Sequence, residues 1–162
     1  NSGEADISLT VIKDGQPFVL FNPREVAHLR DVKALIWLDY RIALITLAYA
    51  LAYAGYSLFQ RRHRRLARAV LWGSGLTLGL MLALGVGALA DFGPLFWQFH
   101  LISFSNDFWQ LDPARDYLIM MFPGGFWQDA VLFIVLAAVA GAVILGGAAA
   151  GHLKFRRGWA RR

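Results

Sequence analysis

The sequence predicts a mainly α-helical, polytopic membrane protein built as a bundle of three transmembrane helices. Hydrophobic residues make up 57% of the chain and the mean hydropathy is +0.47, whereas soluble domains are roughly 45–50% apolar. The excess is concentrated in three apolar runs, at residues 34–59, 69–90 and 126–151. At about 1.5 Å per residue, each run is long enough to cross a hydrocarbon core about 30 Å thick. Residues 1–162 are therefore expected to form a single membrane domain.

The distribution of positive charge predicts which segments face the cytoplasm. Ten of the 16 Lys and Arg residues lie in two clusters that lack Asp and Glu, at 61–68 and 154–162. Both clusters flank apolar runs, which is the pattern typical of cytoplasmic segments. We therefore expect a cytoplasmic basic loop at 60–68 and a cytoplasmic basic tail at 152–162. Nucleic-acid binding is not expected, although the pI is about 10.0, because these clusters follow the membrane pattern.

The remaining segments, residues 1–33 and 91–125, are expected on the extracytoplasmic side. Three spans and a cytoplasmic C-terminus leave Asn1 outside, so a fourth hydrophobic helix is expected before it in the intact gene product. The chain contains no cysteine, which excludes disulfides, thiolate metal sites and a cysteine nucleophile.

The first extracytoplasmic segment is predicted to contain a small β-hairpin followed by a helix. Residues 7–13 and 17–21 are rich in β-forming side chains and flank the turn sequence Asp-Gly-Gln at 14–16. The stretch Asn-Pro-Arg-Glu at 22–25 then supplies a capping residue, a proline in the first helical position and an acidic third residue. These features are typical of a helix start.

Two of the four histidines, His28 and His100, lie in the segments expected outside. His28 and Asp31 are three residues apart on the predicted helix and therefore share one face. His100 belongs to residues 99–123, where polar side chains are placed among aromatic and apolar ones. Polar groups in such a setting are costly unless they are satisfied or functional. The two histidines therefore mark the candidate site.

The segment around His100 is predicted to form a cap of short interfacial helices. If residues 94–109 are helical, His100, Ser103 and Asp107 share one face, and Asn106 is offset towards a neighbouring face. A second short helix is predicted over 113–122. The residues that matter here beyond the histidine are those with polar or interfacial side chains, namely Ser103, Asn106, Asp107, Trp109 and the capping residue Asp112.

Several kinds of protein remain compatible with these residues. Ser103, His100 and Asp107 suggest a serine hydrolase, although the nucleophile-elbow glycine pattern is missing. His28 and His100 suggest a membrane haem or metal protein, although no HxxxH or HExxH spacing supports it. The histidines also suit a non-catalytic membrane interaction protein, in which they are structural.

Two sequence motifs contain the histidines. The longer is FHLISFSNDFWQLDP at 99–113, followed by DYLI at 116–119 and FP at 122–123, and the shorter is EVAHLRDVK at 25–33. Both resemble motifs of the bacterial lipoprotein intramolecular transacylases, which are integral membrane proteins. The resemblance covers most of the chain, including the order of the spans and the external placement of both motifs.

The resemblance implies an acyltransferase of the bacterial cytoplasmic membrane with its active site on the extracytoplasmic face. Such an enzyme moves the sn-2 acyl chain of a diacylglyceryl-modified cysteine onto the α-amine of the same cysteine, giving a lyso-form lipoprotein. Its partners are modified lipoprotein N-termini and membrane lipids, with no cofactor and no metal. By motif, His28 and His100 take the places of the catalytic residues.

The chemistry of this reaction suits two histidines. The substrate amine is the nucleophile, so the enzyme supplies a base and a donor to the oxyanion or leaving group. We hypothesise that His28, supported by Asp31, is the base and that His100 is the donor, with exchanged roles as the alternative. Asp107 or Asn106 is expected to orient His100 through its second ring nitrogen. Ser103, Trp109 and Asp112 complete the supporting set.

Overall fold

The computed structural model describes the backbone of residues 9–159 and the side chains of residues 9–155. Its elements, in chain order, are β1 (Thr10–Lys13), β2 (Gln16–Val19), α1 (Pro23–Phe59), α2 (His63–Ala90), α3 (Phe92–Ser103), α4 (Tyr117–Met121) and α5 (Gly124–Trp159). Within the described part, three helices are long and apolar enough to cross a membrane, namely α1, α2 and α5. The predicted fold class, a mainly helical membrane protein with a small hairpin, is confirmed.

The chain divides into two compact units. We call the first, formed by residues 9–41 and 93–127, the cap unit. The second, formed by residues 42–92 and 128–159, is the helical unit. The cap unit contains the hairpin, the start of α1, α3 and α4, and therefore both histidines of the candidate site.

The β-hairpin has a tighter turn than the sequence predicts. Lys13 pairs with Gln16 in the antiparallel register, so the turn consists of Asp14 and Gly15 alone. Both residues have positive φ, 53° and 78°, as a two-residue type I′ turn requires. The first residues of the predicted strand, 7 and 8, lie outside the described residues.

The hairpin packs against α4, as an isolated two-stranded sheet needs some partner. The ring of Phe18 meets the ring of Tyr117 edge-on at a centroid distance of 5.5 Å. The Lys13 ammonium donates a hydrogen bond of 3.0 Å to the Tyr117 hydroxyl. One α4 side chain thus holds both strands.

Helix α1 begins with the predicted capping arrangement. Asn22 Oδ1 accepts hydrogen bonds from the backbone N–H groups of Arg24 and Glu25, both at 3.0 Å. Glu25 Oε2 in turn accepts the Asn22 N–H at 2.7 Å, which completes a reciprocal capping box. From this cap the helix continues for 37 residues, so the His28 segment and the first apolar run form one helix.

The same cap extends into a buried network that fixes α1 to the segment before α4. Glu25 is only 1% exposed, and its Oε1 accepts the Leu118 N–H at 2.7 Å. Asp116, also buried, accepts the Asn22 side-chain amide at 2.7 Å and the Asp112 N–H at 2.6 Å. We call Asn22, Glu25, Asp112, Asp116 and Leu118 the carboxylate network. The carboxylates of Glu25 and Asp116 thus join the start of α1 to residues 112–118 of the cap unit.

Helix α3 ends at Ser103, six residues before the predicted end at 109. The reason is local, because Asn106 Oδ1 accepts the Phe108 N–H at 3.0 Å and so stabilises a turn in place of another helical turn. The prediction that His100, Ser103 and Asp107 share one helical face is therefore wrong for Asp107, which lies in the loop.

The helix predicted over 113–122 is also shorter, since α4 spans only Tyr117–Met121. Asp112 starts a turn, in which its Oδ1 accepts the Ala114 N–H at 2.9 Å. Asp116 then stands at the N-cap of α4. The carboxyl group of Asp116 is already bound to Asn22 and Asp112.

In the helical unit, α2 and α5 approach closely where their side chains are small. A Cβ atom built on Gly146 would lie 2.9 Å from the Cβ of Ser74, and one built on Gly85 would lie 3.3 Å from Val135 Cγ1. Gln128 also donates a 2.9 Å hydrogen bond to the carbonyl of Ala88. Ser74 and Gly85 of the second span thus serve helix packing, as small residues commonly do in membrane helices.

We predict that Glu25→Gln destabilises the cap unit. The amide can accept from only one of the two N–H groups, and its own NH2 then faces the other donor. Loss of a buried, charge-assisted hydrogen bond typically costs about 1.5–3 kcal/mol, so the unfolding temperature in detergent should fall. Asp14→Asn is the matched control, because Asp14 is exposed and asparagine tolerates positive φ. Equal unfolding temperatures for the two variants would contradict the role given to Glu25.

Candidate active site

The structure brings His28 of α1 and His100 of α3 together in the cap unit. Their ring centroids are 5.9 Å apart and the rings are tilted by 34°. Both side chains are buried, with relative exposures of 8% and 6%. The residues are 72 positions apart in the sequence, so the pair is created by the fold.

Aromatic rings surround the pair. Phe104 lies 5.1 Å from the ring of His28 and 5.5 Å from that of His100. Phe96 and Trp109 lie 4.3 Å and 4.9 Å from His100. The imidazoles therefore sit in an apolar enclosure that disfavours their charged forms.

His100 has a defined tautomer when it is neutral. Its Nδ1 lies 2.7 Å from the carbonyl oxygen of Phe96, and a carbonyl can only accept, so Nδ1 carries the proton. The lone pair of neutral His100 is consequently on Nε2. Burial lowers the pKa of His100 below its ordinary value of 6.5, and the hydrogen bond to Phe96 partly opposes this shift.

His28 has a different environment. It precedes the apolar run of α1 at 34–59, and its Nδ1 is a buried atom without a hydrogen-bond partner among the described residues. Burial is the main cause that lowers the pKa of His28, the charge of His100 lowers it further, and the Asp31 carboxylate acts in the opposite direction. At neutral pH both histidines are therefore predominantly uncharged.

Asp31 is held in place by Asn106. The side-chain amide of Asn106 donates a hydrogen bond of 2.8 Å to Asp31 Oδ2. Asn106 thus holds the Asp31 carboxylate, whereas the sequence predicted that Asp107 or Asn106 orients His100. The oxygen of the same amide accepts the Phe108 N–H, so both ends of the Asn106 side chain are used.

Asp107 does not contact His100 as predicted. Its Oδ1 accepts a 3.1 Å hydrogen bond from Gln110, and its backbone carbonyl accepts a 2.8 Å bond from the Arg24 guanidinium. Since Nδ1 of His100 is bound to Phe96, Asp107 supports the loop and its attachment to α1 instead.

Of the remaining predicted residues, Trp109 contacts the pair directly. Trp109 is buried and lies between His100 and Trp97, whose ring it meets at 4.6 Å. Ser103 is the last residue of α3. Asp112 belongs to the carboxylate network and lies 3.7 Å from the Arg115 guanidinium.

These positions do not form a Ser–His–Asp triad, because the Asp107 carboxylate is bound to Gln110 rather than to His100. Among the residues that the structure describes, no group of three or more His, Asp or Glu side chains is arranged to hold a metal ion. The polar chemistry of the site therefore lies in the two imidazoles and the Asp31 carboxylate.

Some residues around the histidines were not predicted as site residues. Phe96 and Phe104 form the walls of the enclosure, and Glu25 and Asp116 fix the start of α1, which carries His28, to the segment before α4. The capping pattern did identify Glu25 as part of a helix start, but its bond to Leu118 spans 93 residues. The position of Asp116 could have been predicted, since an Asp before an apolar stretch is typical of an N-cap.

A hollow of about 560 Å³ opens beside this site, lined by Pro23, Arg24, Ala27, Asp107 and Phe108. Ala27 directly precedes His28 in α1. The volume falls in the usual range for small-molecule sites, roughly 300–1,000 Å³.

Comparisons with known proteins agree with this architecture. The family model described as "Lipoprotein intramolecular transacylase Lit" matches residues 4–127. The solved structure of the membrane integral lipoprotein intramolecular transacylase Lit from Bacillus cereus is similar, with a TM-score of 0.76 and 26% sequence identity. That match covers 90% of this chain and 67% of the Bacillus cereus chain. A search of curated proteins gave no match.

These findings confirm the resemblance seen in the two histidine motifs. They also confirm the predicted enzyme class, an acyltransferase. Since the family model spans more than half of the sequence, the chain belongs to the lipoprotein intramolecular transacylase family.

Proposed function

We propose that this protein moves the sn-2 acyl chain of a diacylglyceryl-modified cysteine onto the α-amine of the same cysteine, at a site formed by His28 and His100. The observation that carries the proposal is the pairing of two buried imidazoles at 5.9 Å inside an aromatic enclosure. Membership of the transacylase family supports lipoproteins as the substrates.

The reaction is an aminolysis that needs no external reactant. The α-amine nitrogen attacks the carbonyl carbon of the sn-2 ester, and a tetrahedral oxyanion forms. The bond from this carbon to the glyceryl oxygen then breaks, leaving an amide on nitrogen and a hydroxyl on glycerol. One proton leaves the amine and one reaches the glyceryl oxygen, so a base that returns its proton suffices.

We assign the base to His100, which is the exchanged version of the roles expected from the sequence. Its Nδ1 is bound to the Phe96 carbonyl, so Nε2 of the neutral ring has the lone pair that accepts the amine proton. The protonated ring can then return this proton to the glyceryl oxygen. The Phe96 carbonyl stabilises the imidazolium in between.

His28 is then the donor to the oxyanion. Its Nδ1 has no partner in the described part of the chain, and a buried lone pair without a partner is less costly than a buried N–H without one. The proton of neutral His28 therefore belongs on Nε2, which provides an N–H donor. Asp31, positioned by Asn106, favours positive charge on this ring and strengthens the donor as the oxyanion develops.

The surroundings favour transfer over hydrolysis. Phe96, Phe104 and Trp109 limit the access of water to the histidines, so the acyl group meets the amine rather than hydroxide. Donor and acceptor belong to one substrate molecule, and such proximity lowers the barrier without further enzyme groups.

The proposed sidedness follows from the charge distribution. The basic residues at 61–68 and in the C-terminal tail lie beside apolar runs, which supports a cytoplasmic position for both. The cap unit is then extracytoplasmic, where lipid-modified lipoproteins are displayed, and the C-terminus is cytoplasmic.

We predict that His28→Ala and His100→Ala each lower conversion by about 10²–10⁴-fold, the usual contribution of a positioned acid or base. The assay incubates membranes containing the protein with a diacylglyceryl lipopeptide and follows N-acylation by mass spectrometry. His152→Ala is the matched control, because His152 is exposed near the end of α5 and should keep full activity. Full conversion by both site variants would disprove the two-histidine mechanism.

The lowered histidine pKa values predict a particular pH profile. Both the amine, with a pKa near 8, and His100 must be unprotonated. The logarithm of kcat/KM should therefore rise with a slope of about two at low pH and about one above the pKa of His100. Since burial lowers that pKa, the change of slope is expected below pH 6.5. A slope of about one at every pH at which the protein stays folded would argue against a histidine base.

Asp31→Asn separates the two possible assignments of the base. The Asp31 carboxylate raises the pKa of His28, so its removal lowers that pKa further. With His100 as the base, the change of slope should stay at the same pH while kcat falls. A shift of the slope change to lower pH would instead identify His28 as the base.

A further inference from the structure

A cleft in the helical unit has the properties of an anion site, and it lies outside the candidate active site. It lies at the connection between α1 and α2, has a volume of about 500 Å³, and is lined by Arg61, Arg62, His63, Arg64, Arg65 and Arg68. We call these six residues the arginine cleft. The predicted loop at 60–68 is in fact a short connection, since α2 begins at His63, so helical backbone holds most of these side chains.

Among the described residues, no Asp or Glu lies close to this cleft along the chain. No Asp or Glu occurs in the sequence between Asp39 and Asp91, or after Asp129. Asp91 follows the far end of α2, a helix of 28 residues, and is therefore about 40 Å from its start. Five guanidinium groups around one cleft repel one another, so an anion from outside the chain would stabilise this region.

The start of α2 also lacks negative charge that would stabilise it. Its N-cap residue, Arg62, makes no side-chain capping hydrogen bond, and its first turn has no acidic residue. Arginines near a helix N-terminus oppose the helix dipole. The Arg62 guanidinium instead lies over the ring of Tyr56 at 5.7 Å, on the last turn of α1.

At Arg61 the chain has a charged side chain at a backbone position that favours glycine. The end of α1 is a Schellman motif, in which the Arg62 N–H bonds the Ser57 carbonyl at 2.7 Å and the Arg61 N–H bonds the Leu58 carbonyl at 2.9 Å. Arg61 occupies the left-handed position of this motif, with φ of 53°, where glycine is usual. A glycine would fit the backbone better, but it would remove a guanidinium from the cleft.

We propose that the arginine cleft binds the phosphodiester headgroup of an anionic phospholipid. The cleft joins two helices that are both long and apolar enough to cross a membrane, so it lies at the headgroup level of the bilayer. Arginine forks bind phosphate oxygens in pairs, and basic pockets at membrane-helix ends suit anionic lipid headgroups. This inference does not depend on the transacylation mechanism.

The test uses the full chain in nonionic detergent with equimolar phosphatidylglycerol and phosphatidylcholine, and native mass spectrometry counts the bound lipids. We expect the unchanged protein to retain phosphatidylglycerol. Arg64→Gln with Arg65→Gln should weaken this binding by roughly 30-fold, given the typical contribution of each basic residue. The matched control is Lys33→Gln with Arg115→Gln, which removes the same charge from the cap unit and should bind as the unchanged protein does.

Equal retention of the two lipids, or an equal loss in the control, would overturn the proposal, since the effect would then be one of net charge. Arg64→Lys with Arg65→Lys preserves charge and membrane insertion but removes the forked donors. This variant should bind phosphatidylglycerol more weakly than the unchanged protein, and undiminished binding would also overturn the proposal.

Two further measurements address Arg61 and the source of the phosphate. Arg61→Gly should raise the unfolding temperature without anionic lipid and reduce the rise that phosphatidylglycerol produces. An undiminished rise would exclude Arg61 from the site and contradict the proposal. Inorganic phosphate should give little protection, and protection equal to that of phosphatidylglycerol would identify a soluble anion and overturn the lipid assignment.

Discussion

The cap unit depends on one buried carboxylate more than on any other group. Glu25 closes the capping box of α1 with one oxygen and binds the Leu118 backbone with the other, while being almost inaccessible to water. Asp116 repeats the pattern by joining Asn22 to Asp112. A buried carboxylate is tolerated only when its oxygens are satisfied, so these bonds specify one arrangement of α1 and α4. His28 lies about one helical turn after Glu25, so these bonds also fix the position of His28.

The chemistry of the site follows from asymmetry between two similar side chains. His100 has a backbone carbonyl on Nδ1, and His28 has a carboxylate in its surroundings. Burial in the same aromatic enclosure favours the neutral form of both rings, but their different partners give the two rings different responses to charge. The proposed division into proton acceptor and oxyanion donor would need no third catalytic group, in keeping with a proposed reaction whose nucleophile belongs to the substrate.

Much of this protein could be predicted from its sequence because the strongest signals are local. Apolar runs predicted the three spans, and the stretch at 22–25 predicted the start of α1. The ends of the helices were harder to predict. Helix α3 stops before the turn in which Asn106 Oδ1 accepts the Phe108 N–H, and such a side-chain hydrogen bond competes closely with continuation of the helix. Hydrogen bonds between side chains that are far apart in the sequence could not be predicted. Two histidines could be expected to meet, but the attachment of Asn106 to Asp31 depends on three-dimensional packing.

The continuity of α1 relates the chemistry to the thickness of the bilayer. His28 and the apolar run beginning at Ala34 belong to one helix, so about 9 Å of helical rise separates them. In the proposed reaction, the ester groups of the diacylglyceryl anchor would lie just outside the hydrocarbon core, a short distance from the level at which that run begins. A bilayer that is thicker or thinner by a few ångströms changes the tilt or depth of such a helix. Under the proposed mechanism, the depth of His28 relative to the ester would therefore be set partly by the lipids, and membrane composition would affect catalytic alignment.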